Sequence, residues 1–261
     1  MCLLLLWTSA HPDFDILLAG NRDEFYRRPT APPSILQRDP LIFAGKDLEA
    51  GGTWMGRNEF GLVAAITNRH GSRIDPPPNA RSRGEIVLEV LKRTDAPSAA
   101  QWVSALPVER YRGFNLLFGD RQGFYFFGSA EGAPPRKLAP GFHALSNSTL
   151  DDLTWPKVAR AHRFAEARRR MPGEQLIAEL QDFLCDRTPP DRLPAAGPNE
   201  EIHGALGAVF IETPEYGTVS ASIIALGGKL GPRYYFAEGQ DMRAHRSPSA
   251  PSPFRAVVFS A

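Results

Sequence analysis

A chain of 261 residues is long enough to bury a full core, and one large domain is its simplest organisation. Hydrophobic residues make up 43% and charged residues 23%, which is the balance of a water-soluble globular protein rather than a disordered or fibrous one. A formal net charge of +1, with no basic run longer than Arg168-Arg169-Arg170, excludes a dedicated nucleic-acid surface, and that triplet reads as a solvated helix face.

Of the 30 basic residues five are lysines (46, 92, 137, 157 and 229), which leaves 25 arginines. Arginine suits bidentate binding of carboxylate or phosphate, and a GC-rich genome produces the same skew without any function. Two cysteines, Cys2 and Cys185, do not make a disulfide framework. Cys185 closes a stretch whose helical spacing makes it a small core residue. The apolar run Cys2 to Trp7 is short, lacks a positive flank and is followed by no small-residue cleavage site, so no secretory signal is read here. No segment approaches the ~20 apolar residues of a membrane span. The expected compartment is the cytoplasm, where reducing conditions keep Cys2 a thiol.

In chain order, residues 2–8 and 15–20 read as two uniformly apolar strands, turned near His11-Pro12-Asp13 and covered on both faces. The second strand ends in Asn21-Arg22-Asp23-Glu24. Residues 29–33 read as a loop and 41–44 as a short strand. Residues 46–52 approach Thr53-Trp54-Met55-Gly56; 57–61 is a turn, and 62–68 is another buried strand, so a second hairpin follows the first. Beyond a proline loop at 76–79, Ser82-Arg83-Gly84-Glu85 has the spacing of a capping box and predicts a helix through residue 91. A second helix is expected over 97–105.

The pattern then returns to strands. Residues 112–127 form a hairpin with a Gly/Asp turn, and 141–147 a short strand ending in Ser146-Asn147. Helices are expected over 155–170 and 173–185, split by Met171-Pro172. A polar, proline-rich connection (188–201) leads to strands at 208–212, 220–226 and 233–237. Residues 247–253 are a low-complexity loop and 254–259 a terminal edge strand. Strand-rich blocks alternating with helix pairs predict an α+β protein built as a four-layer αββα sandwich with antiparallel sheets, one domain over 1–261. The alternative is a two-domain α+β arrangement.

Cys2 is the strongest chemical candidate. Once Met1 is removed, Cys2 carries a thiol and a free α-amine on one residue, and an α-amine that titrates near neutrality is suited to accept the thiol proton. Such a pair needs no histidine, and the six histidines (11, 70, 143, 162, 203 and 245) share no motif. The bland reading makes Cys2 a small residue opening a core strand. Asn21-Arg22-Asp23-Glu24 either orders the Cys2 thiol and amine, through Arg22 and Asp23, or closes the hairpin as an ion-pair cluster; alternation puts only some of the four on the Cys2 side. Asn68 and Asn147 each end an apolar strand after a hydroxyl residue. There they offer an amide N–H to an oxyanion, or serve as turn residues. Gly51-Gly52-Thr53-Trp54 either lets backbone approach a ligand with Trp54 as a wall, or simply leads into a hairpin. No residue set reads as a metal site.

Cys2, Asn21-Arg22-Asp23-Glu24-Phe25, Gly51-Gly52-Thr53-Trp54, Thr67-Asn68, Arg83-Gly84-Glu85, Phe114-Asn115-Leu116, Leu145-Ser146-Asn147 and Trp155-Pro156-Lys157 together resemble the NRDE family, whose animal members are called Transport and Golgi organisation protein 2. A weaker match falls at Tyr216-Gly217-Thr218. The resemblance implies an N-terminal-nucleophile hydrolase fold and a layout similar to choloylglycine hydrolases and penicillin acylases. It implies Cys2, Arg22, Asp23, Asn68 and Asn147 as catalytic residues, with Asn21, Glu24, Trp54, Thr67 and Arg83 at the substrate. Two departures stand out: the order here is Asn-Arg-Asp rather than Arg-Asn-x-Asp, and Val219 follows Gly217-Thr218 where relatives usually carry arginine.

Two functions follow as expectations. One is hydrolysis or transfer of an acyl group from a linear amide or thioester, which needs no cofactor. The other, implied by the family, is non-catalytic carriage of haem or an acyl-lipid such as acyl-coenzyme A. For haem the axial ligand would be a scattered histidine or Cys2.

Overall fold

The computed structural model describes residues 2–69, 78–190, 207–245 and 250–258. Met1, His70, His203, most of the 188–201 connection, Ser247 and Phe259 lie outside them. The first strands are β1 (Leu3–His11), β2 (Phe14–Phe25), β3 (Thr30–Arg38), β4 (Leu41–Asp47), β5 (Met55–Asn58) and β6 (Val63–Asn68). Helices α1 (Gly84–Leu91) and α2 (Ala96–Ser104) follow, then β7 (Phe114–Asp120), β8 (Gly123–Gly128), β9 (Arg136–Lys137) and β10 (Gly141–Leu145). The rest is α3 (Pro156–Ala167), α4 (Gly173–Leu184), β11 (Tyr216–Leu226), β12 (Arg233–Glu238), α5 (Gly239–Ala244) and β13 (Arg255–Ala256).

Two compact units result. The first takes Met1–Arg27, Phe142–Ser146 and Leu150–Val258; the second takes Arg28–Gly141, Asn147–Thr149 and Phe259–Ala261. The first unit is built on a sheet of order β10-β1-β2-β11-β12-β13. Its opening hairpin is antiparallel, with Leu3 opposite Asn21 and Leu5 opposite Ala19. Alternate residues of that hairpin, Leu3, Leu5, Trp7, Leu17 and Ala19, share one core with Ala221, Ile223 and Ala225 of β11. The other wall of this core is helical: Val158, Ala161 and Phe164 from α3, and Leu176, Ile177, Leu180 and Leu184 from α4. Cys185 joins the core, as its helical spacing predicts.

The second unit is a sheet of order β3-β4-β5-β6-β7-β8-β9. Helices α1 and α2 cover it through Ile86, Val87, Val90, Leu91, Ala99 and Val103, packed on Ile42, Ala64, Leu116 and Phe118. Asn58, fully buried, donates to the Leu91 and Arg93 carbonyls and accepts from Leu62 N–H, and so binds the end of α1 to the sheet. Two antiparallel sheets, each with its helix pair, match the sequence expectation of the αββα class. Among the described residues no helix is long and apolar enough to cross a membrane.

Several local expectations are corrected. Residues 30–33 are not a loop but the start of β3; this strand is at the sheet edge and its register shifts between Ala31 and Ser34, so Pro32 and Pro33 interrupt no ladder bond that a central strand would need. The capping box does not form: Arg83 is the N-cap residue and makes no side-chain cap, while Glu85 is taken by Tyr111 Oη at 2.5 Å and Arg81 Nε at 2.6 Å. Residues 208–211 are not a strand, because their backbone is satisfied elsewhere. Phe210 N–H donates to the Asp186 carbonyl, Val209 carbonyl accepts from Asn21 Nδ2, and Ile211 N–H donates to Thr218 Oγ1. The terminal strand shrinks to Arg255–Ala256, and α5 was not foreseen.

Candidate active site

In the first unit the site gathers at one end of β1, β2 and β11. Cys2 is half-buried just before β1, and its carbonyl accepts from Ser146 Oγ at 2.9 Å. Both cysteines are free thiols. Asn21-Arg22-Asp23-Glu24 lies inside β2, not beyond its end, with Asn21, Arg22 and Asp23 all buried.

Strand alternation then separates these residues. Asn21 follows Leu17 and Ala19 on the helix-covered face, and its Nδ2 spans the Leu184 and Val209 carbonyls, each at 2.9 Å. Asp23 shares that face. Its Oδ1 accepts from Thr218 Oγ1 at 2.7 Å, its Oδ2 lies 3.7 Å from Lys157 Nζ, and its backbone carbonyl accepts from Tyr216 Oη at 3.1 Å. Arg22 takes the opposite face, beside its cross-strand partner Ser220. Cys2 lies one residue before the first paired position of the β1–β2 register, Leu3 opposite Asn21. Glu24 turns outward and accepts from Phe25 N–H at 2.9 Å.

A bulge in β11 makes this division possible. Thr218 pairs with Asp23 and Ser220 with Arg22, so Val219 is the extra residue between them. The bulge reverses the alternation: Thr218 turns toward Asp23, and Ser220 turns to the Arg22 face. Ser220 is 2% exposed, and its hydroxyl finds no hydrogen-bond partner among the described residues.

Lys157, Tyr216, Thr218 and Ser146 are the residues that sequence reasoning did not assign to the site. Lys157 is the least expected. Its side chain is 1% exposed against 0% for Asp23. Burial drives its ammonium below the usual lysine range, while the charges of Asp23 and Cys2 pull it back up. Burial likewise raises Tyr216 far above the ordinary tyrosine value, with Asp23, Cys2 and Glu24 adding to the rise. The available signal for Lys157 was its phase, because it occupies the same helical stripe as Val158, Ala161, Phe164 and Ala165.

The second unit brings several of the remaining candidates together. Asn147, fully buried, donates through Nδ2 to the Asn68 carbonyl at 2.7 Å. Thr67 faces Asn115 across the β6–β7 ladder, and Asn115 Nδ2 reaches the Ser148 carbonyl at 2.7 Å. Arg83 Nη1 donates to the Gly113 carbonyl, which also accepts from Arg69 N–H. Trp54 packs its ring over Gly45, where a Cβ would come within 2.4 Å of it. The close backbone approach made by Gly52 is to Gly84: a Cβ on Gly52 would lie 2.5 Å from the Gly84 carbonyl carbon, and Thr53 N–H donates to Gly84 O. Two of the sequence motifs are thus one packing contact. Among the described residues no group of three or more His, Cys, Asp or Glu side chains is arranged to hold a metal ion.

The fold has solved counterparts. A mutant of the conjugated bile acid hydrolase from Clostridium perfringens superposes with a TM-score of 0.56 at 10% identity, over 98% of this chain and 92% of that one. A Caenorhabditis elegans N-acylethanolamine-hydrolyzing acid amidase ortholog gives 0.50 at 11% identity, over 86% and 92%. These likenesses define the class as the N-terminal-nucleophile hydrolase fold. Residues 1–238 match the family described as Transport and Golgi organisation 2, and the chain belongs to that family. The Bos taurus Transport and Golgi organization protein 2 homolog is 31% identical over 246 residues, covering 86% of this chain and 88% of its own.

Proposed function

We propose that the protein is an N-terminal-cysteine acyl hydrolase or acyltransferase acting on a linear amide or thioester. The carrying observation is the buried polar set at the β2 end of the first unit: Asp23 lies 3.7 Å from the sealed Lys157 ammonium, accepts from Thr218 at 2.7 Å and, through its carbonyl, from Tyr216 at 3.1 Å. A buried ion pair contributes little net stability, and ionisable groups sealed together in this way are candidates for a functional site. In this reading Met1 is removed, Cys2 Sγ gives its proton to the α-amine and attacks the substrate carbonyl carbon. The amine or thiol leaving group departs with a proton, and water then releases the acid. Arg22 and Ser220, cross-strand partners in β2 and β11, offer a cation and a hydroxyl to a polar substrate group. The roles expected from the sequence for Asn68 and Asn147 at an oxyanion, and for Trp54, Thr67, Arg83 and Glu24 at the substrate, are part of this proposal; Asn21 instead holds the Leu184 and Val209 carbonyls. The reducing cytoplasm is the compartment that suits a cysteine nucleophile.

The test is intact-mass spectrometry before and after an activated ester or thioester. The expected masses are a chain lighter by one methionine, then one acyl group per chain, absent in Cys2→Ala. Retained Met1 with no acylation of Cys2 overturns the reading.

A second reading is carriage of an acyl-lipid or haem without turnover; the name of the relatives speaks of transport and Golgi organisation and specifies no cargo. A Soret shift on haem titration that persists in Cys2→Ala supports carriage, and a featureless titration removes haem from it.

A further inference from the structure

The first residues of a chain fray unless something ties them down. The β1–β2 ladder begins at Leu3 opposite Asn21 and so stops one residue short of Cys2. The tie comes from the other neighbour of β1. Strand β10 lies beside β1 in the sheet, and Ser146, the residue that follows β10, donates its hydroxyl to the Cys2 carbonyl at 2.9 Å. Ser146 is fully buried, so bulk water does not compete for that bond.

The strand that carries Ser146 is itself held on two sides. Asp151 accepts from His143 Nδ1 at 2.8 Å and from Ala144 N–H at 2.7 Å, and its own N–H donates to the Ala144 carbonyl. The same carboxylate accepts from His162 Nε2 of α3 at 3.0 Å, which fastens β10 to that helix. On the sheet side, Phe142 of β10 packs on Trp7 of β1 with ring centroids 4.6 Å apart. Cys2 is thus bonded to a rigid support rather than to a loop.

We propose that Ser146 is a positioning residue for the chemistry at Cys2: by holding the Cys2 carbonyl, its hydroxyl sets where the thiol and the α-amine stand. The inference rests on Cys2 being the nucleophile. Once Met1 is gone, rotation about Cα–C carries the amine and Cβ together, and χ1 carries the sulfur. Both rotations start from the planar peptide between Cys2 and Leu3. Ser146 holds the carbonyl of that plane, and Leu3 starts the ladder on its other side. Ser146 exchanges no proton with the substrate. The thiol proton goes to the α-amine, the sulfur forms the bond to the carbonyl carbon, and the leaving group departs with the proton. Without the hydroxyl the plane rocks, the sulfur spends less time in line with the carbonyl carbon, and acylation slows.

The experiment is the acylation of the intact protein by p-nitrophenyl acetate, read as the burst of p-nitrophenolate, for wild type, Ser146→Ala and Ser146→Thr. In Ser146→Ala the acylation rate at saturating ester is expected to fall about tenfold with KM unchanged, in a chain still folded at the assay temperature. Ser146→Thr, which keeps the hydroxyl, is expected to stay within a few-fold of wild type. Alkylation of Cys2 by iodoacetamide needs a thiolate but no alignment with a carbonyl carbon, and is expected to proceed in Ser146→Ala at close to the wild-type rate. An unchanged acylation rate in folded Ser146→Ala overturns the proposal. So does an equal loss in both reactions, because ionisation of the thiol rather than its placement has then changed. If Ser146→Ala does not fold, Ser146→Thr is compared with Ser146→Val, which has the same shape without the hydroxyl. The valine variant is expected to acylate more slowly, and equal rates overturn the proposal. Failure of the parent reading looks different, since wild type then shows no burst and forms no acyl-enzyme.

Discussion

Thr218 and Asp23 stand 195 residues apart in the chain, and the hydroxyl of one donates to the carboxylate of the other at 2.7 Å with both side chains buried. The bulge at Val219 turns Thr218 to that face. Thr218→Val removes the donor and leaves Asp23 Oδ1 and Ile211 N–H short of a partner. Urea unfolding is expected to register a loss of about 1–3 kcal/mol, and Thr218→Ser, which keeps the hydroxyl, most of the wild-type stability.

Asn21 belongs to the signature motif but is used structurally, since its amide nitrogen spans the Leu184 and Val209 carbonyls. Asn21→Leu orphans both carbonyls. Stability is expected to fall by about 2 kcal/mol, while the alkylation rate of Cys2 in the still-folded protein stays within a few-fold of wild type. A large drop in that rate with unchanged stability would assign Asn21 to the chemistry instead.

Cys185 provides an internal control for every thiol experiment. Burial pushes its thiol up to about 12, with the Arg187 charge opposing the shift. The native protein is therefore expected to titrate one thiol with a disulfide reagent near neutral pH, and two after unfolding. Cys2→Ala is expected to show none until it unfolds.

Asp151 predicts a defined acid limb. Burial alone pushes its carboxyl up, but hydrogen bonds from His143, the Ala144 N–H and His162 outweigh burial and hold it below the ordinary value of 3.8. A carboxyl with a depressed folded-state pKa contributes stability that is complete above 3.8 and lost as pH falls through the lower folded value. The urea midpoint of wild type is expected to drop in that window, and that of Asp151→Asn to vary less across it.

The Gly52–Gly84 contact is equally open to test. With a Cβ predicted 2.5 Å from backbone carbon, Gly52→Ala forces two segments of the second unit apart. The expected cost is about 1–3 kcal/mol, visible as a lower thermal midpoint. Gly132→Ala, where the added Cβ meets nothing within 4 Å, reports the backbone cost of a positive φ alone.

Much of this protein is written locally. The opening hairpin and most strands follow from apolar runs, and the helix pairs from a 3.6-residue period, because burying one face of a helix requires that period. A cysteine directly after Met1 is visible in two letters, and the family motifs are collinear in the sequence. Local reading failed where a distant partner decides the outcome. Residues 208–211 look like a strand, but Asp186, Asn21 and Thr218 take their backbone groups. Glu85 looks like a cap, but Tyr111 and Arg81 claim it.

The sequence by itself determined the fold class and the family, since each rests on composition, period or motif order within short stretches. Tertiary structure alone decided which polar residues meet. A two-residue alternation sends Arg22 and Asp23 to opposite faces, one bulge reverses that alternation at Val219, and the phase of α3 carries Lys157 to Asp23. Such pairings depend on register and helix phase between segments far apart in the chain, and no local pattern encodes them.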